Sequence, residues 1–270
     1  ELLDVDSYDV ELDLTTDTTT FRSTTTLRFR CRRPGADTFA DLVGAHVLEL
    51  SLNGSPLDPA EVYAEQRLHL SDLQAENELR VVADLRYSHT GEGLHRFVDP
   101  ADDRVYLYSQ CEVPDARRIY ATFEQPDLKS VFTFTVTAPS HWKVVSNAAT
   151  PEPVEAGAGT SVWSFPTTER MSTYITAIVA GEYHSVHHTY EGAHGTIPLG
   201  PKVEAVPAIR VDRNNRLEGA QFSPRLALVF KPEPMSRGQE GVRSDVEEAG
   251  EHPERKQHGQ GGRLYQQGFV

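Results

Sequence analysis

The 270-residue chain carries a formal net charge of −14 and only two cysteines, so it is long enough to bury a core and too poor in cysteine for a disulfide framework. The acidity is concentrated: residues 201–270 hold 11 Lys/Arg against 10 Asp/Glu, whereas residues 1–200 hold 15 against 30. Such a surface repels phosphate backbones and anionic lipid heads and mildly favours cationic ligands, which argues against nucleic acid and membrane partners.

In chain order, the first 200 residues alternate with a period of two, the period of a strand whose successive side chains face opposite ways. Ser7 to Leu14 places Tyr8, Val10, Leu12 and Leu14 on one side and Asp9, Glu11 and Asp13 on the other. Phe21, Leu27, Phe29 and Cys31 share a parity in a threonine-rich run suited to a pleated surface. His46 to Leu52 puts Leu48, Leu50 and Leu52 on one face, and Asn53-Gly54 then supplies a hairpin turn that tolerates positive φ. Further strand-like runs are Leu79 to Tyr87, Val105 to Val113, Val131 to Val136, Trp142 to Ser146, Ser161 to Phe165 and Tyr174 to Val179. No apolar pattern at helical spacing lasts three turns, so the expected fold is all-β, an antiparallel sandwich or saddle of sheets.

From Pro201 the apolar period is lost among Gly, Gln and charge, as in Arg213-Asn214-Asn215-Arg216 and Gln260-Gly261-Gly262-Arg263. Such a segment buries too little apolar surface to offset the entropy of ordering its backbone. The expected organisation is therefore a β domain over 1–200 and a low-order tail over 201–270, with a frame change or an aberrant gene end as the expected origin of the tail. Cys31 and Cys111 suit a reducing compartment, no apolar run is long enough to span a bilayer, and Glu1 to Asp4 lacks the regions of a signal peptide. A cytoplasmic location is the expectation.

The most informative stretch runs from Thr90 to Pro139: TGEGLHRFVDPADDRVYLYSQCEVPDARRIYATFEQPDLKSVFTFTVTAP. Its parts are Thr90 to Phe97, then an aromatic-rich strand ending in Gln110 and Glu112, then Asp115 to Arg118 and the turn Phe123 to Lys129. In order and spacing this block is similar to the N-terminal domain of the aminopeptidase N family of zinc metalloaminopeptidases, with a weaker likeness from Val5 to Gly200. The resemblance implies an all-β domain that works beside a catalytic domain holding zinc. It also implies that Gln110 and Glu112 bind the free N-terminus of a peptide.

The residues support such a role independently. Polar side chains at i and i+2 of a strand leave one face about 7 Å apart, with Cys111 turned the other way. An amide carbonyl and a carboxylate so placed can accept hydrogen bonds from a protonated α-amine, the charge-assisted bond being the stronger. Glu112 has other uses open to it: capping the turn Asp115-Ala116-Arg117-Arg118, or pairing with Arg117. Arg117 and Arg118 could brace that carboxylate, tie the domain to its catalytic neighbour, or stand solvated. Glu124-Gln125-Pro126-Asp127 reads as a structural turn.

The catalytic apparatus of the family has no counterpart in the sequence. There is no His-Glu-x-x-His, in which two imidazoles one helical turn apart bind the metal and the glutamate activates water, and no Gly-x-Met-Glu-Asn. No catalytic residue and no metal ligand are assigned, and the chain alone is expected to be inactive, with zinc belonging to the intact family enzyme. His184, His187 and His188 form a poor rival metal site, because on a strand His184 and His188 lie about 13 Å apart while zinc bonds are about 2.1 Å. Ser109 lacks a glycine elbow, Cys111 stands beside a carboxylate that disfavours its thiolate, and Thr90-Gly91-Glu92-Gly93 has no lysine to greet a phosphate. The expected partners are peptide N-termini and a catalytic domain of the same enzyme. The alternative is a non-catalytic β-sandwich interaction module; a carbohydrate-binding sandwich would use Trp142 and Trp163 as exposed platforms rather than as core.

Overall fold

The structure is a computed structural model that describes residues 2–192, 195–204, 210–212 and 221–223, with side chains through residue 185. All of these fall within one unit, Glu1–Lys231. Most of the expected tail, residues 201–270, lies outside the described residues.

Strand propensity and alternation become β1 (Leu3–Asp13), β2 (Thr20–Cys31), β3 (Thr38–Asp41), β4 (His46–Leu52) and β5 (Ser55–Pro56). A single turn of helix, α1 (Pro59–Val62), follows; Asp58 caps it by accepting the Ala60 N–H, and proline stands where no intrahelical donor is needed. Then come β6 (Tyr63–Ala64), β7 (Arg67–Leu70), β8 (Glu76–Arg86), β9 (Gly93–Val98), β10 (Val105–Gln110), β11 (Val131–Pro139) and β12 (Lys143–Ser146). The remainder are β13 (Val154–Gly157), β14 (Thr160–Ser164), β15 (Ile178–Gly181), β16 (His184–Gly192), β17 (Gly195–Glu204), β18 (Arg210–Asp212) and β19 (Gln221–Ser223).

Eight strands form one sheet in the order β13-β14-β11-β1-β2-β8-β4-β5. A four-stranded sheet runs β12-β15-β10-β9, and a small one β3-β7-β6. The fold is all-β as the alternation implies, and its strand pairs are not all antiparallel: β1 lies parallel to β11, Tyr8 opposite Phe132. One apolar cluster draws side chains from these three sheets, including Tyr8, Phe21, Phe29, Leu68, Leu107, Phe132, Phe134 and Ile178. At its centre Tyr8 stacks on Phe132 at 4.7 Å, and Tyr120 meets both rings edge-on. The opposite face of the large sheet carries cross-strand ion pairs, among them Asp4–Arg32, Asp6–Arg30 and Arg22–Asp84. Trp142 and Trp163 are both buried, so neither is an exposed platform.

The runs at Leu48 and at Tyr174 depart from the expected alternation. Leu48 was placed beside Leu50 and Leu52, but a bulge between Val47 and Glu49 turns it outward, 39% exposed, while Leu50 and Leu52 stay in the core. Tyr174 and Ile175 belong to a short 3-10 turn, Thr173–Ile175, and the strand starts at Ile178. The Asn53-Gly54 turn forms as expected: both residues have positive φ, and Leu52 pairs with Ser55 across it. Among the described residues no helix is long and apolar enough to cross a membrane.

Candidate functional site

The site sits where β10 leaves the four-stranded sheet. Between β9 and β15, strand β10 buries Leu107 and turns Tyr106, Tyr108 and Gln110 to the opposite, half-buried face. The strand stops at Gln110, and Glu112 to Asp115 form a turn that contains the cis Val113–Pro114 peptide. Glu112 is therefore not two strand residues beyond Gln110, as the expected run to Val113 required, and the same-face spacing of about 7 Å does not apply to it. Proline supplies no N–H to a sheet ladder, which is one physical reason for the early end.

Three sets of contacts hold the turn. Cys111 is buried and receives a hydrogen bond from the Thr176 hydroxyl at 3.7 Å, and the hydroxyls of Thr176 and Tyr120 lie 2.9 Å apart. Burial pushes the Cys111 thiol up to about 12, so it stays protonated near neutrality and is no nucleophile. The Ser109 hydroxyl is committed to accepting the Ile178 N–H at 2.8 Å. Glu124, placed in a turn by the sequence, reaches back to accept the Arg117 N–H and the Thr173 hydroxyl, both at 2.8 Å. Burial raises its carboxyl above the ordinary value, with both hydrogen bonds opposing the shift. Arg118 donates to Asp115 at 2.7 Å and lies 3.2 Å from Glu92.

Glu112 is exposed and Gln110 half-buried, and among the described residues neither side chain forms a hydrogen bond or an ion pair. The rival uses of Glu112 are not realised. Arg117 faces Asp41 at 3.8 Å, and the 3-10 turn Ala116–Arg118 has no side-chain cap. Neither arginine braces Glu112, and neither stands solvated without a partner. The sequence reading missed Glu92, Asp115, Glu124 and Thr176 as supports, for Thr176 lies 65 residues from Cys111 and no local spacing signals the contact.

The histidine cluster is described only at His184; the side chains of His187 and His188 lie outside the described residues. Among the described residues no group of three His, Cys, Asp or Glu could hold a metal ion.

Against known proteins, the family model described as the Peptidase M1 N-terminal domain matches residues 5–175. The chain belongs to this family. Aminopeptidase N of Streptomyces lividans is 54% identical over 202 residues, covering 74% of this chain and 23% of that protein. Aminopeptidase Q of Homo sapiens is 34% identical over 182 residues, 66% of this chain and 17% of that protein. Aminopeptidase N of Acetobacter pasteurianus is 40% identical over 86 residues, 32% of this chain and 24% of that protein. The M1 N-terminal domain described here thus spans less than a quarter of the length of these curated relatives. The match to residues 5–175 includes both Gln110 at the end of β10 and the turn that carries Glu112.

Proposed function

We propose that this M1 N-terminal domain supplies the α-amine anchor of an aminopeptidase, with Gln110 and Glu112 accepting hydrogen bonds from the protonated N-terminus of a peptide. The observation that carries this reading is the contrast at the end of β10. The backbone there is tied down by Cys111, Glu124 and Arg118, yet the amide and the carboxylate on it have no partners among the described residues. A rigid support with open acceptors is pre-organised for a cation, because little ordering entropy remains to be lost on binding. The acidic balance of residues 1–200 favours the same charge.

Fixing the α-amine sets the register of a bound peptide, so that only its first residue lies within reach of a hydrolytic centre. That centre belongs to a companion catalytic domain. Zinc, implied by the family resemblance, finds no ligand set among the described residues of this chain. The contribution to the reaction proposed for this chain is positional. Bonds to a charged group are worth about 1.5–3 kcal/mol, so loss of the Glu112 carboxylate should lower kcat/KM by about 10- to 100-fold.

A chimera tests this, with the matched segment of the Streptomyces lividans enzyme replaced by the corresponding residues of this chain. Glu112→Gln in the chimera should raise KM for substrates with a free α-amine in that range. Unchanged kinetics in Glu112→Gln and in Gln110→Ala would refute the anchor and leave the interaction-module reading in its place.

A further inference from the structure

The Thr90–Gly93 loop, which the proposed reading leaves without a role, meets the site through Arg118. Gly93 is the residue on β9 directly opposite Gln110 on β10. Its φ is +60°, and a Cβ added there would come within 2.6 Å of the Arg118 Cβ, so the arginine lies flat against the glycine. From that seat the guanidinium reaches Glu92 at 3.2 Å on one side and Asp115 at 2.7 Å on the other. Glu92 adjoins the residue paired with Gln110, and Asp115 closes the turn that carries Glu112. The loop itself is held in shape by the Gly91 N–H, which donates to His95 Nδ1 at 3.1 Å.

We infer that Arg118 is the positioning residue of the α-amine anchor: clamped between Glu92 and Asp115 on the Gly93 seat, it fixes the turn bearing Glu112 relative to the strand bearing Gln110. This inference rests on the anchor reading for its functional meaning and on the Arg118 contacts for its structural meaning. Arginine suits the post because its planar fork can donate to two carboxylates from one fixed geometry, which a lysine point charge cannot. Glycine at 93 suits it because any side chain would displace the arginine.

The test uses the full 270-residue chain. Backbone ¹⁵N relaxation reports the order of the Glu112 amide, and NMR titration with trialanine and N-acetyl-trialanine reports the anchor. In the wild type the Glu112 amide should have the order parameter of rigid backbone, about 0.85. In Arg118→Met it should fall below about 0.6, with the change confined to residues 111–116 and the affinity for trialanine reduced about tenfold. Arg118→Lys, which keeps the charge but not the planar fork, should lie between. Glu92→Gln touches an exposed side chain and keeps the question answerable if Arg118→Met does not fold; it should loosen the same residues in part. Unaltered order at Glu112 in Arg118→Met, or in Glu92→Gln where the former is unfolded, overturns the clamp. Failure of wild-type trialanine binding would instead sink the anchor reading, and the relaxation data would still decide the clamp.

Discussion

Replacing Tyr8 with phenylalanine isolates one hydroxyl on which the support of the site depends. The Tyr8 ring is fully buried and stacked on Phe132, and both features survive the change. Its hydroxyl accepts the backbone N–H of Phe123 at 3.1 Å and the hydroxyl of Thr122 at 3.3 Å, fastening β1 to the segment that leads into Glu124. Burial pushes the phenol up to about 12, so it remains protonated across the working range and no charge is lost with it. The Thr122 hydroxyl can rotate toward another acceptor, but the Phe123 N–H is fixed by the backbone. A buried donor stripped of its acceptor costs about 1–3 kcal/mol, and a value near 2 kcal/mol follows for one N–H. For a body of this size that is about 4–8 °C in Tm, readable by thermal denaturation with circular dichroism alongside urea midpoints. A change under about 0.5 kcal/mol would show that the hydroxyl is not the anchor of this segment. A loss near 4 kcal/mol would show that the ring itself had moved, as in a cavity-forming substitution.

Leu50→Ala should cost about 2–5 kcal/mol by removing core volume, whereas Leu48→Ser, on the outward bulge, should change urea stability by less than about 0.5 kcal/mol. Equal losses at the two positions would contradict the bulge. Glu124 has a carboxyl raised by burial, so its contribution to stability is fully present below the unfolded value of 4.5 and is lost as pH rises through the folded value. The stability of wild type relative to Glu124→Gln should therefore decline as pH rises from 4 toward 7, and urea midpoints that hold a constant difference would remove burial as the dominant influence on this group.

Much of the fold was legible because alternation is a direct consequence of one buried face. Tyr8, Val10 and Leu12, and likewise Phe21, Leu27, Phe29 and Cys31, occupy the core as their spacing requires. What period cannot show is the place where a strand slips by one residue. In β1 the register shifts between Val5 and Ser7, so Leu3 and Val5 are buried on odd positions and Tyr8 onward on even ones; in β4 the same kind of shift ejects Leu48. The parallel pairing of β1 with β11 joins Tyr8 to Phe132, a separation that no local pattern encodes. At the site the two acceptors could be named from the motif, but the turn at Glu112 could not be told from a strand, because Val113 continues the apolar alternation until the proline interrupts it. The supports were hidden for a different reason. Glu92, Asp115, Glu124 and Thr176 look like ordinary surface residues until the fold brings them to Arg118, Arg117 and Cys111.

The account turns on whether a cationic peptide end is held by Gln110, the last residue of β10, and Glu112, on the turn that follows it. Isothermal titration of the chain with a free-amine tripeptide and with its N-acetylated twin, near neutral pH and at low ionic strength, addresses this directly. Saturable binding of the free amine alone, abolished in Gln110→Ala/Glu112→Gln, is the result the account predicts. Equal binding of both peptides, or free-amine binding that survives the double substitution, would contradict it.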